Sequence, residues 1–534
     1  APTISETTVV PTPSTDTTPT VVMTSNQIGA ISSPSGQTLT GDVTAEASTN
    51  NVTFAALADG TYGAVTLLVT DAAGNASNTL TLTSFTIDNG APSAFTVGAV
   101  ASTGGTVVAN YLNSTNSGVS VTVPVANDAS LVNGTIQLRM KVGVNAYADI
   151  GSAATITTAN TTQAVTLTDE QIEAAANYAE GGVLTFTAII TDSAGNATTG
   201  TASGTTLTVD QDVPVISETT AITTPDNDTT PTVVMTSDQA GAISSPSGQT
   251  LTGDVTAEAA ANSVTFAALA ANTYGAVTLL VTDAAGNPSN TLTLTSFTID
   301  TTVPTAFTVG AVASTGGTVV ANYLNSTNSG VSVTVPVAND ASLVNGTIQL
   351  RMKVGVNAYA DIGSAATITT ANTTQAVTLT DEQIEAAANY AEGGVLTFTA
   401  IITDSAGNAT TGTASGTTLT VDQDVPVISE TTAITTPDND TTPTVVMTSD
   451  QAGAISSPSG QTLTGDVTAE ASTNNVTFAA LADGTYGAVT LLVTDAAGNA
   501  SNTLTLTSFT IDNGAPSAFT VGAVASTGGT VVAN

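Results

Sequence analysis

The strongest constraint on what this chain can fold into is its self-similarity. Placed against itself, the sequence repeats with a period of 212 residues: Ile4-Ser5-Glu6 recurs at Ile216 and Ile428, and residues 94–212 are identical to residues 306–424. Each period holds two units of unequal length, A (about 90 residues) and B (about 120), so the chain reads A-B-A-B-A plus a stub. Each unit has to bury its own apolar residues, because 534 residues are too many for one continuous core. The expected boundaries are 1–90 (A1), 91–212 (B1), 213–302 (A2), 303–424 (B2) and 425–514 (A3), with 515–534 as the first strand of an incomplete B3. The stub from Pro516 copies Pro92 to Asn110 and is too short to form a sandwich alone. It reads as part of a longer array or as a strand completed by another chain.

Composition removes most catalytic chemistry. Histidine, cysteine and tryptophan are absent, so nucleophile–histidine pairs, thiolate chemistry, disulfides and structural zinc sites are excluded together. Charged residues are only 9% of the chain, and 42 Asp and Glu face four Lys and Arg for a net charge of -38. Binding of nucleic acid or of an anionic membrane through basic patches is excluded on that balance. With 41% hydrophobic residues spread along its length, the chain is expected to fold. No apolar run is long enough to span a bilayer, and Ala1-Pro2-Thr3-Ile4 does not open a secretory signal.

Inside each unit the dominant period is two. In B, Val119, Val121, Val123 and Val125 fall on one face of a strand, and Leu184, Phe186, Ala188 and Ile190 on one face of another. Ile136, Leu138, Met140 and Val142 alternate with Gln137, Arg139 and Lys141, which places the basic residues on a solvent face. In A, Leu80 and Leu82 are out of phase with Phe85 and Ile87, so a bulge is expected near Thr83-Ser84. Turn clusters at intervals of roughly ten residues complete the pattern of a β-sandwich. One short helix is expected in each B unit over 169–176, with Thr168 as N-cap and acidic residues in its first turn. The fold class is therefore all-β, as tandem immunoglobulin-like β-sandwich domains in an extended array.

Three motifs then occur in fixed order: Leu57-Ala58-Asp59-Gly60-Thr61-Tyr62, Val69-Thr70-Asp71-Ala72-Ala73-Gly74-Asn75, and Phe85-Thr86-Ile87-Asp88 followed by Ala91-Pro92. They resemble the closing half of a bacterial immunoglobulin-like repeat, and Asp226-Asn227-Asp228-Thr229-Thr230-Pro231-Thr232 resembles its opening half. Unit B carries the shorter set Thr191-Asp192-Ser193-Ala194-Gly195-Asn196 and Val209-Asp210-Gln211-Asp212-Val213-Pro214, and is similar to a variant with a longer middle. The resemblance covers essentially the whole chain and implies the extender region of a large secreted adhesin. Tyr62, after Asp59-Gly60, sits where a tyrosine corner belongs, and Tyr274 remains where Ala271-Asn272 replaces that pair. Asp71 to Asn75 supplies Gly and Asn for positive φ in a tight hairpin turn.

In such a sandwich the last strand of one unit ends beside the B–C and F–G loops of the next. The first A-to-B junction then gathers Asp88, Asn127, Asp128 and Asp192, and the following B-to-A junction gathers Asp210, Asp212, Asp238 and Asp283. Their copies are Asp300, Asp340 and Asp404, then Asp422, Asp424, Asp450 and Asp495. Bare carboxylates in such clusters repel, almost no Lys or Arg is available to pair with them, and a hard divalent cation is the natural partner. Calcium suits oxygen-rich, flexible sites better than magnesium does, and the resemblance likewise implies interdomain calcium. Asp226-Asn227-Asp228 is not an EF-hand, since Pro231 and Ser237 stand where Gly and Glu are required.

The reading is a non-enzymatic, extracellular or cell-surface stalk whose partners are calcium ions and its own neighbouring domains. Five domains end to end would extend on the order of 200 Å. The alternative is a subunit of a self-assembling filament, sheath or surface layer in which identical chains meet. Neither nucleic acid nor direct membrane contact is expected of this segment.

Overall fold

The computed structural model describes residues 1–253 and 255–524. The chain is nearly all β, with 43% of residues in strands and 3% in helix. It divides into two compact units: residues 1–222, 232–267 and 275–296 form the first, and residues 223–231, 268–274 and 297–534 the second.

In the first unit, segment A1 builds a three-stranded sheet from Ile4–Thr8, Thr20–Ser25 and Thr49–Thr53. A four-stranded sheet runs Thr44–Ala45, Gly29–Ser32, Thr66–Thr70, Leu80–Thr81, and Gly60–Tyr62 pairs with Phe85–Ile87. Segment B1 opposes a three-stranded sheet (Val100–Thr103, Gly118–Val125, Thr161–Thr168) to a larger sheet centred on Thr135–Val142 and Val183–Thr191. Tyr111–Asn113 joins the larger sheet parallel to Leu207–Asp210. The second unit repeats these arrangements around Gly330–Val337, Thr347–Val354 and Val395–Thr403, and again from Ile428. These are immunoglobulin-like sandwiches, and the alternation of apolar residues is their cause. Val119, Val121, Val123 and Val125 are buried against Leu184, Phe186, Ala188 and Ile190 in one core, while Gln137, Arg139 and Lys141 face outward as the alternation requires.

The outward face explains why so much of the chain is threonine and serine. Hydroxyls pair across neighbouring strands, as in Ser5 with Thr24 (2.8 Å), Thr20 with Thr53 (2.8 Å) and Thr61 with Thr86 (3.0 Å). The basic residues are engaged locally too: Arg139 pairs with Asp149 at 3.0 Å, and Lys141 lies over the Tyr147 ring, 5.1 Å from its centroid.

Three local expectations meet their outcome here. The tyrosine corner is present, with the Tyr62 hydroxyl donating to the Ala58 carbonyl at 2.9 Å and Tyr274 to Ala270 at 3.0 Å despite the Ala271-Asn272 replacement. The helix is capped as expected, with a reciprocal capping box between Thr168 and Gln171, but it spans only Asp169–Glu173 and then breaks into turns. The phase change at Thr83-Ser84 is not a bulge within one strand. Leu80–Thr81 pairs with Thr66–Thr70, and Phe85–Ile87 leaves that sheet to pair with Gly60–Tyr62. The Glu6 carboxylate holds the crossing point, accepting from the Thr83 N–H (2.9 Å) and hydroxyl (2.8 Å).

Of the first strand of B3 expected over 515–534, residues 515–524 form no regular element, and the remainder lies outside the described residues. Among the described residues no helix is long and apolar enough to cross a membrane.

Phe186 is fully buried at the centre of the B1 core. Phe186→Ala is expected to destabilise that segment by about 3–5 kcal/mol. Urea unfolding followed by circular dichroism should show an early phase of roughly one segment's amplitude, with the other transitions unmoved.

Candidate functional site

The junctions are built on one hairpin loop that recurs in every segment, Asp-x-Ala-Gly-Asn. In B1 the Asp192 carboxylate is buried, and its Oδ1 accepts from the N–H groups of Ala194 (2.9 Å), Gly195 (2.7 Å) and Asn196 (2.9 Å). Its Oδ2 accepts from the Asn196 side-chain amide at 2.9 Å. The same ring of bonds in A1 holds the Asp71 carboxyl below its ordinary range, chiefly through the Asn75 side chain. Gly195, with φ of +107°, supplies the left-handed position. The asparagine is not at positive φ in any copy; the turn needs its side chain, which corrects the expectation from sequence.

That side chain also joins neighbouring segments. Besides bonding to Asp192, Asn196 Nδ2 donates to the backbone carbonyl of Asp88 at 2.9 Å. Asn287 does so to Asp210 (2.8 Å), Asn408 to Asp300 (2.8 Å) and Asn499 to Asp422 (2.9 Å). The sequence points to the carboxylates of the four linker aspartates, whereas the contact common to every junction uses their carbonyls. Asn196, Asn287, Asn408 and Asn499 are the residues that sequence reasoning undervalued. The signal was present in the fixed placement of Asp88, Asp210, Asp300 and Asp422 ahead of each loop.

The acidic residues fall into two kinds. At the A-to-B junctions they are largely committed to the backbone. Asp128 caps a short 3-10 turn through Ser130 N–H (3.0 Å) and hydroxyl (2.8 Å), Asp340 does the same through Ser342, and Asp404 accepts from Ala406 N–H, Asn408 N–H and the Asn408 side-chain amide. Asp300 accepts from Thr302 N–H at 2.9 Å, and Asn127 is exposed on its loop. The Asp88 carboxyl is nonetheless raised above its ordinary pKa, first by burial and then by the charges of Asp192, Asp59 and Asp128, with the Gly90 N–H opposing. Asp59 is an addition to the group expected from sequence.

At the B-to-A junctions the carboxylates confront one another. The Asp210 carboxyl is pushed up to about 6 by burial, then by Asp283, Glu180 and Asp212, and by a hydrogen bond with Glu180 that is lost when both ionise. Asp422 is pushed up to about 6 in the same way, by burial and then Asp495, Glu392 and Asp424. Glu180 and Glu392 were not expected from sequence; they follow the helix, where only the fold brings them to the junction. Asp238 is held as a hydrogen-bond acceptor. Its Oδ1 accepts from Val215 N–H at 2.7 Å, Asp450 does so from Val427 (2.7 Å), and in A1 the uncharged Asn26 makes the same bond to Thr3 N–H (2.7 Å).

Among the described residues no group of three or more acidic side chains is arranged to hold a metal ion. The donors at the A-to-B junctions fit calcium poorly, since Asp192 Oδ1 already accepts three N–H groups. The Asp210 group comes nearer in its chemistry, because the charges around Asp210 are mutually unfavourable, although Asp283 itself accepts from the Asn287 N–H (2.8 Å) and side-chain amide (2.8 Å).

No family model matches the chain, and no curated protein matches it. Among solved structures, the FN1–FN3 domains of chicken CNTN1 align at 14% identity over 62% of this chain and 100% of theirs, with a TM-score of 0.23. Titin domains A168–A170 align at 12% identity over 61% and 100%, with a TM-score of 0.26. A Bacteroides ovatus glucan-utilisation protein, SGBP-B, solved with a mixed-linkage heptasaccharide, aligns at 13% identity over 63% and 71%, with a TM-score of 0.13. Scores this low leave function to be read from the chain's own geometry.

Two outcomes follow from the junction chemistry. Asn499→Ala, which strips a buried acceptor set, is expected to cost about 1–3 kcal/mol, and Asn75→Ala, on an exposed loop, clearly less; differential scanning calorimetry of the two variants checks the order. Asp210 and Asp422 have raised folded-state pKa values, so they favour folding below the unfolded value near 4, and that contribution fades as pH rises through about 6. Without divalent ions, melting temperature should therefore rise as pH falls from 7 to 5, and the double variant Asp210→Asn, Asp422→Asn should flatten that slope.

Proposed function

We propose that this chain is a structural segment of a repetitive bacterial surface or matrix protein, a stalk that holds a functional end away from the cell. Tandem immunoglobulin-like segments of this type are generally non-enzymatic, and the composition leaves no histidine or thiol for the commonest catalytic constellations. The observation that carries the reading is the junction itself: each loop asparagine grips the preceding segment's backbone, so successive segments are joined by more than a covalent linker.

Calcium is part of the proposal at the B-to-A junctions. Asp210, Asp212, Asp283 and Glu180 would hold it in one copy, and Asp422, Asp424, Asp495 and Glu392 in the other. The ion would supply positive charge where the carboxylates raise each other's pKa. An extracellular or cell-surface location accords with this, because calcium is plentiful there and the chain carries no cysteine to protect.

A self-assembling filament is the second reading, and one observation favours it. Val521 and Val524 are 73% and 93% exposed, whereas Val97 and Val100, the residues they copy, are buried in the B1 core. A segment of that kind can pair with a B-type sandwich of another chain. Electron microscopy separates the readings, since ordered fibres of touching chains support assembly and isolated thin rods support the stalk.

Calcium at a hundred to a thousand times its Kd should stabilise the folded chain by about 3–4 kcal/mol, and Asp210→Asn with Asp422→Asn should abolish most of that gain. Small-angle scattering adds the mechanical test. An identical profile in calcium and in excess EDTA would remove calcium from the joint while leaving the stalk reading standing.

A further inference from the structure

The two kinds of junction are not equivalent, and the repeat supplies its own control. The loop Asp71-Ala72-Ala73-Gly74-Asn75 recurs unchanged as residues 283–287 and 495–499. In A1 its Ala73 and Asn75 are exposed, whereas Ala285, Asn287, Ala497 and Asn499 are 0% exposed. Sequence is constant, so the difference is the B segment packed against the loop. Asn113 Nδ2 donates to the Ala285 carbonyl at 2.7 Å, and Ser114 N–H donates to Asn287 Oδ1 at 2.7 Å. The second copy repeats both, Asn325 to Ala497 at 2.7 Å and Ser326 to Asn499 at 2.8 Å. The fit is close: a methyl group on Gly286 would lie 2.8 Å from Val108 Cγ2, while one on Gly74 would meet nothing within 4 Å.

The receiving side is pre-organised. Asn113 is fully buried, and its backbone N–H is held by Asn116 Oδ1 (2.8 Å). Its Oδ1 accepts from Thr115 N–H (3.0 Å) and hydroxyl (2.7 Å), and its amide also reaches the Thr106 carbonyl (2.8 Å). No counterpart exists at the A1-to-B1 junction. There the B-type loop is tied to A1 by the bond from Asn196 to the Asp88 carbonyl, and a methyl group on the exposed Gly195 would meet nothing within 4 Å; at the A2-to-B2 junction Asn408 makes the same bond to Asp300 and a methyl group on Gly407 would lie 3.3 Å from the Asn227 amide, a looser approach than at Gly286.

We infer that the B-to-A joint is a metal-free lock and the A-to-B joint an articulation, so that the chain flexes once per 212-residue period and each B moves with the A that follows it. The contacts of the lock are hydrogen bonds donated by amide and backbone N–H groups, with the Ser326 hydroxyl adding one to Asn499 Oδ1 (2.7 Å), and van der Waals contacts, none of which needs a cation. The inference stands whether or not calcium strengthens the same joint.

Because the chain has no cysteine, pairs of introduced cysteines are the only labelling sites. Nitroxide pairs at Asn51→Cys with Thr166→Cys (A1 to B1) and Thr166→Cys with Ser263→Cys (B1 to A2) place labels on exposed strand positions of the full chain. Double electron–electron resonance in excess EDTA should give a B1-to-A2 distance distribution at most half as wide as the A1-to-B1 one. Asn113→Ala should widen the B1-to-A2 distribution and leave the other unchanged, and Asn287→Ala, which reaches the lock from the A side, should widen it too. Equal widths in EDTA, or a B1-to-A2 width indifferent to both variants, would overturn the lock. Narrowing only when calcium is added would overturn it as well, in favour of a joint that depends on the ion.

Discussion

A primary amide has two hydrogens, and the junction asparagines direct them to two different structures. One closes the hairpin onto its own aspartate, and the other reaches the carbonyl at the end of the preceding segment, as Asn196 does with Asp192 and Asp88. The two bonds depend on each other. The hairpin bond fixes the amide plane, so the second hydrogen arrives at the carbonyl already oriented, and little side-chain entropy remains to be lost when segments meet. Alanine has no such group, and aspartate would place an acceptor against an acceptor. The loop glycine serves the same end by letting the backbone turn tightly enough to bring Asp and Asn face to face.

Charge is handled differently at the two ends of a B segment. Where it follows an A, the acidic groups are absorbed into turns, each carboxylate accepting backbone N–H groups that would otherwise be unmet. Where it precedes an A, Asp210 is partly buried beside Asp283, Glu180 and Asp212, whose charges disfavour its ionisation. A chain with so few cations has only protons or external ions to relieve that strain. The positions of the basic residues sharpen the point, because Arg139 and Lys141 are held on the sheet face by Asp149 and Tyr147.

The sheets were legible in the sequence because period-two burial leaves a direct imprint: Val119 to Val125 and Leu184 to Ile190 are buried where their alternation placed them. The tyrosine corner and the helix cap were legible for a similar reason, being local geometries set by a few adjacent residues. What was missed involved partners distant in sequence. Glu6 binds Thr83 across the segment and converts an expected bulge into a change of sheet, and Glu180 joins Asp210 only once the sandwich closes. The asparagines were read as turn formers because a side-chain bond to a backbone carbonyl leaves no compositional trace. Asp238 was read as a charge, and only the comparison with Asn26 reveals that an acceptor suffices there.

The alternation of A and B bears on how such a chain reaches its native state. Identical neighbours invite strands to pair with the wrong copy during synthesis, a recurrent failure of tandem proteins. Here each segment is flanked by the other type, whose strand lengths and registers differ, so a nascent A1 meets B1 before an identical A2 has left the ribosome. The nearest lookalike always stands one whole segment away, which gives every sandwich time to close before an impostor strand is within reach.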